Sequence, residues 1–130
     1  MTKDIKPLLI DGSTPLSSDA LLAMLDAEGL VHHTVDHAPM WTVEDAKAIR
    51  APSPHGHTKN LFVRNKKGRM WLLTLHEDRQ VDMKTMGGLI GTNRLSFASP
   101  QRLMHYLGVI PGAVSMFSVL NDVTRQVTCY

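Results

Sequence analysis

Two apolar runs, Leu61-Phe62-Val63 and Met70-Trp71-Leu72-Leu73-Thr74-Leu75, stand either side of the turn-forming segment Asn65-Lys66-Lys67-Gly68. Runs of this length bounded by Asn and Gly predict a β-hairpin from about Lys59 to Leu75. Both runs are continuous rather than alternating, which is the pattern of strands covered on both faces. Whatever else the chain does, it must therefore supply a layer of structure to each side of this hairpin.

The flanking segments can supply those layers. Residues Met1 to Leu16 carry two prolines and a Gly-Ser-Thr cluster, and read as an arm leading into the domain. Ser17 or Ser18 can cap a first helix, with Asp19 at its positive end, Leu21, Leu22, Met24 and Leu25 on its buried face and Gly29 as its stop. Leu30 to Val35 reads as a short strand. Thr42 and Asp45 have capping-box spacing for a second helix, with Val43, Ala46 and Ile49 at helical intervals and Pro52 and Pro54 ending it. Ala51 to His57 is a loop by composition. Beyond the hairpin, Asp82 can cap a third helix with Met83, Met86 and Ile90 on one side, although Gly87 and Gly88 weaken it. Leu95 to Ala98 reads as a short strand. Ser99-Pro100 then opens a fourth helix, with Leu103, Met104 and Leu107 inward and Gly108 as its stop. A turn through Pro111 and Gly112 leads into a strand around Ala113 to Val119, and Asn121-Asp122 turns the chain into a last strand from Gln126 to Cys129. Helices and strands alternate without strict βαβ regularity. The expected architecture is α/β of the α+β type, a mixed, mostly antiparallel sheet surrounded by helices, as one domain over residues 17–130.

Composition narrows the function. A length of 130 residues with 43% hydrophobic residues suits one core, and with 5% aromatics that core is aliphatic. The single cysteine, Cys129, cannot form an internal disulfide, no secretory start is evident, and no run approaches the roughly 20 apolar residues of a membrane span. A soluble, cytoplasmic protein without a membrane partner is expected. A net charge of +2 is far from the dense basicity of a chain that lives on phosphates, so any RNA must be held by local contacts.

Most of the usual catalytic signatures are missing. His55-Gly56-His57 pairs two imidazoles, but no third or fourth ligand recurs at zinc spacing, so no metal is expected. Cys129 lacks an activating base, and no nucleophile elbow surrounds a serine. His76-Glu77-Asp78-Arg79 could be an acid–base cluster, yet such a run after a strand reads more readily as a solvated, self-paired turn. More informative is Gly56-His57-Thr58-Lys59-Asn60-Leu61-Phe62, which puts a cation and an amide where a polar loop meets a buried strand. Gly108-Val109-Ile110-Pro111-Gly112-Ala113-Val114-Ser115 is a second such place, where glycines could bring main-chain amides close to a ligand or simply stop a helix and turn the chain.

Taken together, Trp41-Thr-Val-Glu-Asp-Ala46, Gly56 to Phe62, His76-Glu-Asp-Arg-Gln-Val-Asp82, Arg94-Leu-Ser-Phe-Ala-Ser-Pro100 and Gly108 to Val114 resemble, in order, the YbaK/ProX superfamily of aminoacyl-tRNA deacylases. These are related to the editing insertion of bacterial prolyl-tRNA synthetases, and the Lys-Asn-Leu-Phe wording is most similar to the ProXp-ala branch. The resemblance implies hydrolysis of mischarged tRNA for proline, most readily alanyl-tRNA, with no cofactor. It places Lys59, Asn60 and the loop Gly112, Ala113, Val114 and Ser115 at the reacting ester, and His57, Thr58 and Phe62 around the substrate. Arg50, Lys66, Lys67 and Arg69 are candidate phosphate contacts. The implied partners are the aminoacylated end of tRNA and prolyl-tRNA synthetase, with a homodimer as a further expectation. The pattern departs from the family at Met116, which stands where the loop usually has proline, and at Tyr130, beyond which relatives add a strand and a helix that this chain is expected to lack. A tRNA- or synthetase-binding domain with impaired catalysis is the alternative those departures suggest.

Overall fold

The computed structural model describes residues 4–40, 42–49 and 55–130. Its centre is the expected hairpin, β1 (Thr58–Arg64) and β2 (Met70–His76), in antiparallel register from Thr58 opposite His76 to Arg64 opposite Met70. The Asn65 side chain closes the turn, its Oδ1 accepting from the Arg69 N–H at 2.9 Å. A two-residue strand β3 (Ser96–Phe97) pairs antiparallel with β1, and β4 (Val127–Cys129) pairs parallel with β2. The sheet order β3-β1-β2-β4 is thus mixed and mostly antiparallel.

Strand alternation splits the hairpin's apolar residues between two cores. Phe62, Met70 and Leu72 face one side and pack with Leu103 and Leu107, whereas Val63, Trp71 and Leu73 face the other and pack with Leu95. The first layer comes from α4 (Pro100–Arg102), which Ser99 caps and which continues as a π-helical segment, Leu103–Leu107, to Gly108 in a left-handed conformation. The second comes from α3 (Met83–Leu89), whose Met83 and Met86, with Ile90, pack beneath Val63 and Trp71 as their spacing predicts. The Asp82 carboxylate caps α3 by accepting from the Lys84 and Thr85 N–H groups, which holds its pKa below the usual carboxylate range. That cap therefore contributes above the ordinary range and is lost as pH falls through the lowered value.

Gly87 has a packing role that outweighs its low helix propensity. A Cβ there would stand 2.0 Å from the Asn93 carbonyl oxygen, so α3 can approach the following turn only without a side chain at this position.

Three expectations are corrected. Leu30 to Val35 forms no strand: it has no sheet partner, and Leu30, Val31 and Val35 are exposed, because β-branched residues make a strand only where a neighbour accepts the ladder. Ala113 to Val119 is no strand either. Ser115 instead caps a 3₁₀ helix, Met116–Asn121, its hydroxyl accepting from the Phe117 N–H while Ser118 Oγ accepts from the Ser115 N–H. The first helix, α1 (Ser18–Ala27), has its expected Ser17 cap but buries none of its residues. Part of the segment before α1 is docked on the domain: Leu9 is 4% exposed, Ile10 N–H donates to the His105 carbonyl at 2.9 Å, and Leu16 N–H donates to Asn121 Oδ1 at 2.8 Å.

Adjacent glycines give an internal control. Gly87→Ala should cost about 2 kcal/mol or more, as overpacking against backbone does. Gly88→Ala, where a Cβ meets nothing within 4 Å, should be neutral or stabilising by up to about 1 kcal/mol. Urea denaturation of both variants measures the difference, and equal stabilities would contradict the close approach described.

Candidate active site

The hairpin's open end, where β1 begins and β2 finishes, forms one side of a cleft of about 620 Å³. β1 and its approach contribute His57, Thr58, Lys59, Asn60 and Leu61, and Glu77 follows β2. Met40, Thr42 and the α2 (Val43–Ile49) residues Val43 and Ala46 form another wall, and Gly112 and Val114 close the cleft from the loop before the 3₁₀ helix. The sequence-distant segments around Lys59 and Gly112 thus meet at one site.

Each wall is fixed locally. Asn60 Oδ1 accepts from the Thr74 hydroxyl at 2.8 Å across the strand pair. Lys59 Nζ donates to the Arg79 carbonyl at 2.5 Å, which lays the side chain along the end of β2. The Thr42 hydroxyl accepts from the Asp45 N–H at 3.0 Å and caps α2, and Lys47 pairs with Asp78, tying α2 to the segment after β2. Gly112 sits at φ +88°, a left-handed conformation that a side chain would strain, and Ala113 N–H closes the turn onto the Ile110 carbonyl at 3.0 Å.

Several predicted site residues fall elsewhere. Phe62 is 5% exposed in the core with Leu72 and Leu107: it shares the Asn60 face of β1 but lies two residues further from the open end, under the α4 layer. Ala113 is exposed and does not line the cleft, and the Ser115 side chain is committed to its cap. Lys66 and Lys67 lie exposed at the hairpin turn, the far end of β1, about 20 Å away at ~3.3 Å per residue. Arg69, beside them, stacks over the Trp71 ring at 5.5 Å. Arg50 lies outside the described residues, as do Trp41 of the quoted motif and the helix-ending Pro52 and Pro54.

Glu77 was the residue undervalued by its sequence context. It begins the turn that the sequence predicts after β2, but is 9% exposed and lines the cleft, whereas His76, Asp78 and Arg79 in the same run are exposed. By parity Glu77 follows Trp71, Leu73 and Leu75 on the face that packs on α3, but both faces of the hairpin are covered, so parity gives its face and not its burial. Among the described residues, no group of three His, Cys, Asp or Glu side chains could hold a metal ion, and no helix is long and apolar enough to cross a membrane. Burial, with a smaller contribution from the Asp122 charge, pushes the Cys129 thiol pKa up, which makes it a poorer nucleophile at neutral pH.

Both the fold and the sequence have known relatives. The fold is shared with the crystal structure of hypothetical protein APE2540, at a TM-score of 0.63 and 19% identity over 84% of this chain and 70% of that one. The model of the aminoacyl-tRNA editing domain matches residues 37–130. The chain belongs to the aminoacyl-tRNA editing domain family, and is by that membership an enzyme of the aminoacyl-tRNA deacylase class. Prolyl-tRNA editing protein ProX of Acetoanaerobium sticklandii is 39% identical over 112 residues, covering 85% of this chain and 68% of that protein. Prolyl-tRNA synthetase associated domain-containing protein 1 of Mus musculus is 29% identical over 75% of this chain and 60% of its own length. Its putative counterpart in Homo sapiens is 30% identical, over 79% and 63%. The chain thus spans about two thirds or less of the length of these relatives.

Removing the Ser115 hydroxyl should loosen the glycine loop without touching the hairpin. Ser115→Ala is expected to cost about 1 kcal/mol, as loss of an N-cap does, and to speed amide exchange at Phe117 and Ser118. Exchange that accelerates equally along β1 and β2 would contradict this local role.

Proposed function

We propose that the chain removes alanine from mischarged tRNA for proline. The observation that carries the proposal is the shared cleft: Lys59 and Asn60, from the two faces of β1 at its open end, border the same hollow as Gly112 and Val114. The similarity to the ProX protein of Acetoanaerobium sticklandii supports prolyl-tRNA as the substrate class.

The chemistry asks little of the protein. An aminoacyl ester is already activated: a water oxygen attacks the carbonyl carbon, the bond to the ribose oxygen breaks, and that oxygen leaves with a proton. Holding the ester still and stabilising the developing oxyanion supplies most of what is needed, so no nucleophilic side chain is required. Lys59 supplies a positive charge for the oxyanion or the adjoining phosphate, Asn60 a polar contact, and the peptide groups around Gly112 a wall that fits close to the reacting end. Val43, Ala46, Leu61 and Val114 give the hollow an apolar surface suited to a small side chain.

The volume of about 620 Å³ is within the usual range for small-ligand sites and exceeds what an alanyl group alone occupies, so the terminal adenosine shares the cleft. Discrimination then works by admission. A synthetase cannot strongly reject a smaller amino acid by binding, and a second site that admits only the smaller product removes the error. The partners are the aminoacylated end of tRNA and prolyl-tRNA synthetase, and the setting is the cytoplasm.

Purified protein should release alanine from alanyl-tRNA for proline and spare prolyl-tRNA. Lys59→Ala should lower kcat/KM by about 100-fold or more, the scale of losing an oxyanion-stabilising group. Undiminished hydrolysis by that variant would contradict the role of Lys59. Tight tRNA binding by the unaltered protein without turnover would favour the binding-domain alternative.

A further inference from the structure

We infer that Glu77 recognises the α-ammonium group of the aminoacyl ester, and that this carboxylate makes the cleft selective for esters of free amino acids over N-acylated or hydroxy-acid esters. The inference rests on the deacylase reading of the cleft and deepens it.

A carboxylate that is 9% exposed is costly to keep ionised unless cations or hydrogen-bond donors compensate it. Glu77 nevertheless borders the ligand-sized cleft rather than the closed core. Its position is set by the hairpin register. Its N–H donates to the His57 carbonyl at 3.0 Å, which continues the ladder one step beyond Thr58 and His76 and sets Glu77 opposite His57. Lys59 stands opposite Leu75, so Glu77 is its diagonal neighbour on the same face, with Cβ atoms about 7 Å apart. Lys59 donates to the Arg79 carbonyl, and both Lys59 and Glu77 line the cleft, so one wall carries an ammonium and a carboxylate.

That pairing matches the charge pattern of the substrate. An aminoacylated 3′ end carries a cation, the α-ammonium, on one side of the ester and an anionic phosphodiester on the other. A wall with one charge of each sign accepts such a ligand in one direction, and the ester is then held at a fixed place between them. Glu77 can do this while keeping its existing interactions, because a carboxylate offers about four lone-pair sites on two oxygens. An N-acetylated amino acid has no cation to offer, and would leave the buried carboxylate facing an amide and a methyl group. The selectivity would spare peptidyl and formylated esters, which share the ester and the RNA but lack the charge.

The test compares alanyl-tRNA with N-acetylalanyl-tRNA, using the full chain and its Glu77→Gln and Glu77→Asp variants. The unaltered protein should prefer the free amine by about 10- to 100-fold in kcat/KM, the scale of one charge-assisted hydrogen bond. Glu77→Gln should erase most of that preference, mainly by raising KM for alanyl-tRNA, and Glu77→Asp should restore part of it. An equal loss on both substrates with Glu77→Gln, or a preference that survives the change, would overturn the inference while leaving the deacylase reading intact. If the unaltered protein hydrolyses neither substrate, the deacylase reading fails, and binding of the non-hydrolysable amide 3′-alanylamino-3′-deoxyadenosine decides the inference separately. Binding of this probe with no advantage over its N-acetyl form would overturn it, and an advantage lost in Glu77→Gln would support it.

Discussion

The double burial of one hairpin sets the rest of the structure. Once Phe62, Met70 and Leu72 are turned to one side and Val63, Trp71 and Leu73 to the other, each face must find its own cover. Full burial of a single large aliphatic or aromatic side chain contributes about 1.5–3 kcal/mol, so two sets of them outweigh any preference of the helices for another arrangement. The π-helical segment fits this view: Leu103, Met104 and Leu107 are all buried, and the backbone accommodates them with one wide turn. Gly87 is the matching adjustment on the other face, where helix propensity yields to close approach.

Function follows from where the apolar pattern stops. Both strands become polar at the same end, where Thr58, Lys59 and Asn60 run antiparallel to Thr74, Leu75 and His76. The core behind them holds the backbone rigid, while the side chains of the last few residues stand at the edge of a cleft. Strand parity then decides which of them share a face. Lys59 and Glu77 lie on one, and Asn60, with its Thr74 partner, lies on the other. The glycine loop is anchored beside the same place by Val114, which packs against the Phe62, Leu72 and Leu107 cluster, while Asn121 ties the arm to the helix end, its Nδ2 donating to the Leu107 carbonyl at 2.9 Å and its Oδ1 accepting from the Leu16 N–H.

The hairpin, the Asp82 and Ser99 caps, and the bringing together of Lys59 with Gly112 were legible in sequence, because each rests on a local period, a capping residue or a motif. What was not legible depends on partners far along the chain. Leu30 to Val35 has strand-like residues but no neighbouring strand to accept it. Ala113 to Val119 has apolar residues of either kind, and the Ser115 and Ser118 pair that closes the 3₁₀ helix is a weaker signal than the usual Ser/Thr with Glu/Gln. Phe62 was assigned by its neighbours in the motif, whereas its place two residues further from the open end than Asn60 puts it in the core. The charges beside Glu77 make its run read as a solvated turn, whereas its burial depends on cleft walls that come from distant segments.

The central claim is that the mouth of β1 and the glycine loop bound a single hollow that holds an aminoacylated adenosine. Amide chemical shifts of isotope-labelled protein, followed while 3′-alanylamino-3′-deoxyadenosine is titrated in, test this most directly. Saturable shifts with one common affinity at Lys59, Asn60, Gly112 and Val114, and none at Lys66 or Lys67, are the result the structure predicts. Shifts confined to one wall, or centred on the hairpin turn, would contradict it.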